Sequence, residues 1–363
     1  MKIGIRADSS EGIGGGHTMR CLSLAHALRA KGAEVVFFTR NLPGNLDNLV
    51  LNKGFQIVHL PPPASGGWNT IGNPIQWLQE NEATDAQETI REASNSPWDL
   101  FIVDHYALGS TWETQVGQMG GSLLAIDDLP NRRHECHWLL DQTYGRDPAD
   151  YKGRVPSDCQ LLLGSGYALL RKQFSNARQA ALERRQQLEG IRKVLVCVGT
   201  MDDTNSIPRI LSALASVDWV GETEPNVDIV LSSKSPHLEA LKEFTKGISL
   251  PTVIHLDVED MAAIMLEADI AIGAAGSTSW ERCCLGLPSV LLVLEENQRQ
   301  IGEKLDRIGA AIALSDTPNL EAKIIESIQK LIRDPKAYLT MSSIATDLCD
   351  GAGAARVASE IWK

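Results

Sequence analysis

Two stretches of this 363-residue sequence set chemistry-bearing side chains at the ends of apolar runs. The first is Ser9-Ser10-Glu11-Gly12-Ile13-Gly14-Gly15-Gly16-His17-Thr18-Met19-Arg20, which directly follows an apolar run over residues 2–8. Glycines at 14, 15 and 16 let the backbone approach an anion closely, and a helix starting behind them aims its unpaired N–H groups at the same point. A turn of this kind accommodates phosphate. His17 stands at its exit, and imidazole can take up and return a proton near neutrality without a large pKa shift. It could also serve only as a capping or packing residue.

The second stretch is Ile270-Ala271-Ile272-Gly273-Ala274-Ala275-Gly276-Ser277-Thr278-Ser279-Trp280-Glu281-Arg282-Cys283-Cys284-Leu285-Gly286-Leu287-Pro288. A buried strand ends in small residues and a helix starts at Ser277 or Thr278, so hydroxyls and helix N–H groups together suit a diphosphate. Glu281 has two readings. Thr278-Ser279-Trp280-Glu281 fits a capping box, in which the glutamate satisfies a backbone donor; alternatively the carboxylate accepts from the two hydroxyls of a ribose. Two further polar groups close strands: Asp104-His105-Tyr106, where Tyr106 either packs or bonds a sugar, and Glu295-Glu296-Asn297-Gln298.

Other chemistries fit less well. The dinucleotide fingerprint would need a third glycine where His17 stands, and the second strand ends in Thr39-Arg40-Asn41 with no acid for a ribose. His134-Glu135-Cys136-His137 holds closely spaced donors but has no second cluster at zinc spacing. A net charge of −12 argues against nucleic-acid or membrane-surface partners. Seven cysteines, odd in number and scattered through apparent strands and helices, read as reduced thiols. With no apolar stretch of spanning length and no secretory segment before the first strand, the expected location is the cytoplasm.

The elements that must position these groups alternate as in an α/β protein with parallel sheets. Strands are expected over 2–6, 35–39, 56–60, 100–104, 123–127, 138–141 and 160–163, with helices over 18–30, 44–52, 83–93 and 112–119 between them. Residues 61–67 read as a loop. After a charged helix over 175–188 the pattern restarts: an apolar run, Val194-Leu195-Val196-Cys197-Val198, closes on Gly199-Thr200 before a helix over 207–216. Strands over 227–231, 253–256, 270–273 and 290–294 follow. The expectation is two Rossmann-like α/β domains facing across a cleft: 1–188 carrying the histidine, 189–345 carrying the nucleotide, and a helical tail over 346–363. Ligands are expected at the carboxyl ends of the strands.

Gly14-x-Gly16-His17-x-x-Arg20, Asp104-His105-Tyr106, Asp127-Asp128, Tyr167-Ala168-Leu169-Leu170-Arg171, Gly276-Ser277-Thr278-x-Trp280-Glu281-Arg282 and Asn297-Gln298, taken in order, resemble the family of UDP-sugar hydrolases of bacterial pseudaminic acid biosynthesis. The match spans nearly the whole chain, and its broader kin are the GT-B nucleotide-sugar enzymes, including the UDP-GlcNAc transferase of peptidoglycan synthesis. The resemblance implies hydrolysis of UDP-2,4-diacetamido-2,4,6-trideoxy-β-L-altropyranose to the free sugar and UDP, with no metal and no cofactor. His17 would be the general base for inverting attack of water at the anomeric carbon, and Tyr106 and Asn297 would hold the sugar or the water. Ser277 and Thr278 would meet the diphosphate, Glu281 the ribose, and the backbone around Val258 the uracil. Gly14, Gly15, Gly16, Arg20, Asp104, Arg171, Thr200, Gly276 and Gln298 would complete the substrate site. The partners implied are the UDP-sugar and, beyond it, other enzymes of the sugar pathway. Three positions depart from the family pattern: Gly199-Thr200 stands where two glycines are expected, Asp141-Gln142-Thr143 replaces an asparagine-ending turn, and Gln173 replaces a glutamate. A glycosyltransferase using the same cleft and a non-catalytic nucleotide-sugar binding protein are the rival readings.

Overall fold

Parallel strands covered on both faces must be apolar on both, and β1 (Lys2–Ala7) and β2 (Glu34–Arg40) have that character. In the computed structural model, which describes residues 1–62, 81–95, 97–199, 201–202, 204–219 and 224–363 apart from the side chain of Asn297, they pair side by side within a parallel sheet. Thr200 and most of the expected loop over 61–67 fall outside the described residues. The chain forms two compact units, Met1–Arg171 with Ala352–Lys363 and Lys172–Gly351.

In the first unit the other strands are β3 (Gln56–Leu60), β4 (Leu100–Asp104), β5 (Ser122–Ile126), β6 (Trp138–Asp141) and β7 (Gln160–Leu163). Among the described residues they form a seven-stranded sheet in the order β3-β2-β1-β4-β5-β6-β7. Helices α1 (Gly16–Ala30), α2 (Asp47–Asn52), α3 (Glu82–Ala93) and α4 (Ser110–Gly117) connect the strands. Alternate residues feed two cores: Ile3, Ile5, Val35 and Phe37 pack with Leu24 and Leu28 of α1 on one face, while Val36, Phe38 and Phe101 pack with Trp98 and Trp112 on the other.

The second core includes buried charge. Arg6 is fully buried and its guanidinium bonds Asp8 at 2.7 Å and Asp85 at 2.8 Å. Arg40 joins it, donating to Asp85 at 2.8 Å and Glu88 at 2.6 Å. Because Arg40 fills the end of β2, that position is taken up by an internal ion-pair network rather than by a group offered to a ribose.

The second unit opens with α5 (Lys172–Gln186) and continues through β8 (Lys193–Cys197), α6 (Ile207–Ala215), β9 (Asn226–Leu231), α7 (Leu238–Lys246), β10 (Thr252–Leu256), α8 (Met261–Glu267), β11 (Ile270–Ala274), α9 (Thr278–Cys284), β12 (Ser289–Val293), α10 (Glu296–Arg307), β13 (Ile312–Ser315), α11 (Leu320–Arg333) and α12 (Pro335–Leu348). Its parallel sheet has the order β10-β9-β8-β11-β12-β13. The edge strand β13 is absent from the expected elements; of its four residues only Leu314 is buried, so it lacks the apolar run of a covered strand. The last helix, α13 (Gly353–Ile361), belongs to the first unit.

The division therefore differs from the expected 1–188, 189–345 and 346–363. Helix α5 belongs to the second unit: Arg178 bonds the carbonyls of Cys284 at 2.6 Å and Cys349 at 2.9 Å, and the buried Arg185 bonds that of Met265 at 2.8 Å. The C-terminal residues are no separate tail. Val357, Ala358 and Ile361 join the core that contains Leu24 and Leu28, and Glu360 accepts from Gln160 at 3.1 Å.

Candidate functional site

In both sheets the strand order reverses at one point, between β1 and β4 in the first unit and between β8 and β11 in the second. Connections leave such a pair towards opposite faces, which opens a crevice at the carboxyl ends of the strands. The glycine turn and His17 follow β1, while Asp104-His105-Tyr106 closes β4. The topology thus brings together two motifs almost ninety residues apart in sequence.

The turn folds on itself through the Gly14 amide, which donates to the Ser10 carbonyl at 2.8 Å, and Gly14 adopts a φ of +77° that other residues avoid. Gly15 is the N-cap of α1, with no side-chain cap, and a Cβ there would meet the Leu46 side chain at 2.7 Å. The helix begins at Gly16, two residues earlier than expected, so His17 lies within the first turn and Arg20 one turn on. Three-residue spacing puts both on the same face.

That face meets Asp104. His17 Nδ1 is 2.6 Å from Asp104 Oδ1, and Arg20 grips the same carboxylate through Nε and Nη2, each at 2.6 Å. Arg20 Nη1 donates to Asp128, and the Tyr106 hydroxyl donates to the same Asp128 oxygen at 3.4 Å. The Tyr106 ring stands edge-on to the imidazole, with centroids 4.7 Å apart. His17 is 7% exposed and Asp104 wholly buried. Burial alone would raise the Asp104 pKa, but the Arg20 guanidinium and His17 hold it well below the usual carboxylate range. The same carboxylates, Asp104 and Asp128, outweigh burial at Arg20 and keep it cationic. Burial, with Asp128, pushes the Tyr106 phenol up, so it remains a donor.

An ionised carboxylate at Nδ1 selects the tautomer with its proton on that nitrogen, which makes Nε2 the lone-pair nitrogen. Asp104 was expected at the substrate. It is wholly buried with both oxygens engaged, one by His17 Nδ1 and Arg20 and the other by Arg20, which grips the carboxylate bidentately. Asp128, read in the sequence only as part of a motif, completes this network. Its signal was its place after a strand that borders β4 in the sheet.

Neighbouring histidines have other duties. Burial pushes His105 down to about 4, and its Nδ1 accepts the Ala107 amide at 3.1 Å. His134, considered above as a metal donor, lies between Glu113 at 2.7 Å and Asp127 at 2.8 Å. Burial opposes its charge, but its hydrogen bonds to these carboxylates raise it to about 9. Among the described residues no group of three or more potential ligands is placed to hold a metal ion. The departures from the family pattern are structural too: Asp141 is buried and accepts from Tyr151 at 2.8 Å, and Gln142 accepts the Leu169 amide at 3.2 Å. Gln173 donates to the Glu259 carbonyl at 3.3 Å. Arg171, half-buried, is the last residue of the first unit's main segment.

In the second unit, Gly276, Ser277, Thr278 and Glu281 lie together at the carboxyl end of β11, with Ser277 exposed and the other three half-buried. The helix starts at Thr278, and its N-cap Ser277 makes no side-chain cap hydrogen bond, so the capping box expected over 278–281, with Thr278 as cap, is not formed. Asn297 and Gln298 open α10 beyond the adjacent strand β12, and Gln298 accepts the Leu294 amide at 3.1 Å. The half-buried Val258 follows the edge strand β10. Gly199 ends the β8 turn with a φ of +124°.

Residues 193–360 match the glycosyltransferase family 28 C-terminal domain. The chain is 24% identical over 305 residues to the uncharacterized protein MJ1062 of Methanocaldococcus jannaschii, covering 83% of this chain and 57% of that longer protein. It is 27% identical over 310 residues to the UDP-2,4-diacetamido-2,4,6-trideoxy-beta-L-altropyranose hydrolase of Campylobacter jejuni, covering 85% of this chain and 97% of the relative. The crystal structure of Acinetobacter baumannii MurG superposes with a TM-score of 0.67 at 15% identity, over 99% of both chains. Together these give the chain a GT-B fold of two Rossmann-like units, with residues 193–360 matching the glycosyltransferase family 28 C-terminal domain and most of its length similar to the Campylobacter jejuni hydrolase.

Proposed function

We propose that the protein hydrolyses UDP-2,4-diacetamido-2,4,6-trideoxy-β-L-altropyranose to the free sugar and UDP, in the cytoplasm and without a metal or cofactor. The observation that carries the reading is the 2.6 Å contact between His17 Nδ1 and the ionised Asp104, beside a glycine turn at the point where the sheet order reverses. Phosphate binding alone has no use for an oriented base. In the proposed reaction His17 Nε2 takes a proton from water as the water oxygen bonds the anomeric carbon. The bond from that carbon to the diphosphate oxygen breaks with inversion, and UDP leaves with the electron pair. Tyr106 and Asn297 hold the sugar or the water. Ser277 and Thr278 receive the diphosphate, Glu281 the ribose and the backbone near Val258 the uracil, with Gly14, Gly15, Gly16, Arg171, Thr200, Gly276 and Gln298 completing the site. A general base supplies about a hundredfold to ten-thousandfold, and donors set towards the departing phosphate supply the rest of the barrier reduction.

The test is turnover of this UDP-sugar in 18O-labelled water. Label on the sugar supports the reading, and label on UDP means attack at phosphorus and removes His17 from the proposed role. His17→Phe should lose most turnover while UDP affinity changes little, and a variant that turns over normally would end the assignment.

The match to a glycosyltransferase domain favours a second reading, an inverting UDP-sugar transferase of surface polysaccharide synthesis. Incubating the UDP-sugar without an acceptor separates the two: rapid UDP release belongs to the hydrolase, while consumption only after an acceptor is added belongs to the transferase. A non-catalytic binding protein would bind and consume nothing.

A further inference from the structure

Arg282 is 1% exposed, and among the described residues no carboxylate is hydrogen-bonded to its guanidinium. Its Nη2 donates to the Ala274 carbonyl at 2.7 Å and lies 3.2 Å from the Ser279 hydroxyl, both neutral. Its Nε and Nη1 are buried without a hydrogen-bond partner among the described residues. No ion pair joins it to a carboxylate among those residues, in contrast to Arg6, Arg20, Arg40 and Arg146 of the first unit, each of which meets an aspartate within hydrogen-bond distance. Glu281, its sequence neighbour, acts on it through space and less than burial does. The thiols around it do not neutralise it, because burial pushes Cys197 up and Cys283 up to about 12. A small void lined by Ser279, Arg282, Cys283 and Ser289 adjoins it; water there would satisfy a donor and leave the charge in place.

The backbone is shaped around this side chain. A Cβ on Gly273 would come within 2.5 Å of Arg282 Nη1 and 2.4 Å of the Cys197 carbonyl oxygen, so glycine there makes room for the guanidinium between β8 and β11. An uncompensated buried cation is costly, and one side chain does not persist in such a place for packing alone. The guanidinium is bonded to the carbonyl of Ala274, the residue at which the turn over 274–278 begins. A charge in a low-dielectric interior is weakly screened, so its field reaches the outer side of that turn.

We propose that Arg282 is a positioning residue for the diphosphate, a buried cation behind the turn that attracts the phosphate charge without touching it. The inference rests on the reading that this turn receives the diphosphate of a uridine nucleotide. Arg282 holds the Ala274 carbonyl and so fixes the turn, and its charge favours anionic ligands over neutral ones at the same place.

The test compares uridine, UMP and UDP by calorimetric titration of the full-length wild type and of Arg282→Met, Arg282→Lys and Ser279→Asp. Arg282→Met should weaken UDP by about tenfold or more, UMP by less and uridine hardly at all, and Arg282→Lys should restore most of the UDP affinity. Ser279→Asp sets a carboxylate beside the guanidinium and cancels its charge with the arginine retained, so it should lower UDP affinity in the same graded way even if Arg282→Met does not fold. Equal weakening of all three ligands would mean a packing role and overturn the inference. Unchanged UDP binding in Ser279→Asp or Arg282→Met would overturn it as well. A wild type that binds none of the three would instead overturn the reading of the turn as a uridine nucleotide site, and the inference with it.

Discussion

Asp104 has both carboxylate oxygens committed, one to His17 and Arg20 and the other to Arg20 and the Cys21 thiol at 3.5 Å. Asp104→Asn keeps the shape but offers an amide where the imidazole needs an anion. Turnover should fall by about a hundredfold to ten-thousandfold, with UDP affinity within about twofold of wild type. Steady-state kinetics beside nucleotide titration will separate the two. The carboxylate also ties stability to acid. Its folded pKa lies below the unfolded value of about 3.9, so its contribution is present above that pH and is lost as the pH falls through and below it. His134 has the opposite sign. Its folded pKa of about 9 exceeds the unfolded value of about 6.5, so its contribution is complete below about pH 6.5 and disappears as the pH rises towards 9. Urea unfolding of the wild type should show up to roughly 3 kcal/mol of loss across that window, and His134→Gln should flatten it.

At the scale of the element, the turn before α1 separates two kinds of glycine. Gly14 has a positive φ and open space around it, so Gly14→Ala should cost about 1 kcal/mol through the backbone alone. Gly16 is helical, also with open space beside it, so Gly16→Ala should leave stability unchanged or raise it by up to about 1 kcal/mol. If a phosphate approaches the backbone there, Gly16→Ala should nevertheless lose activity, because the added methyl occupies that space. Thermal unfolding and turnover measured on both variants will show whether the turn is a structural corner or a ligand contact. In α9, whose N-cap Ser277 makes no side-chain cap hydrogen bond, Glu281→Ala should weaken uridine and UDP alike if the carboxylate meets the ribose.

For the molecule as a whole, the chain leaves its first unit at Arg171 and comes back to it at Ala352. A Cβ on Gly353 would fall 2.2 Å from the Ala168 carbonyl oxygen, so α13 docks by backbone contact that only glycine allows. Gly353→Ala should destabilise the first unit by about 1–3 kcal/mol and spare the second. Hydrogen exchange resolved by segment will test it: protection should fall in β1 and α1, and remain in β8 and β11. Loss spread evenly over both units would contradict the assignment of α13.

The order of elements was legible from the sequence because buried parallel strands and amphipathic helices carry their periods locally, and the boundaries of β3, β4, β6 and β7 agree with the expected ranges. So was the position of His17 at the exit of a glycine turn and the start of a helix, since that is a local pattern. The expected list held Asp104 as a substrate contact and left Asp128 and Arg282 without roles, because their partners lie far away in sequence. Sheet order brings β4 beside β1 and β11 beside β8, and that pairing decides which carboxylate meets an imidazole and which guanidinium is buried with no carboxylate bonded to it among the described residues. Helix α5 was expected in the first unit and α13 in a separate tail for the same reason. A helix period reports that one face is buried, and only the tertiary structure decides against what.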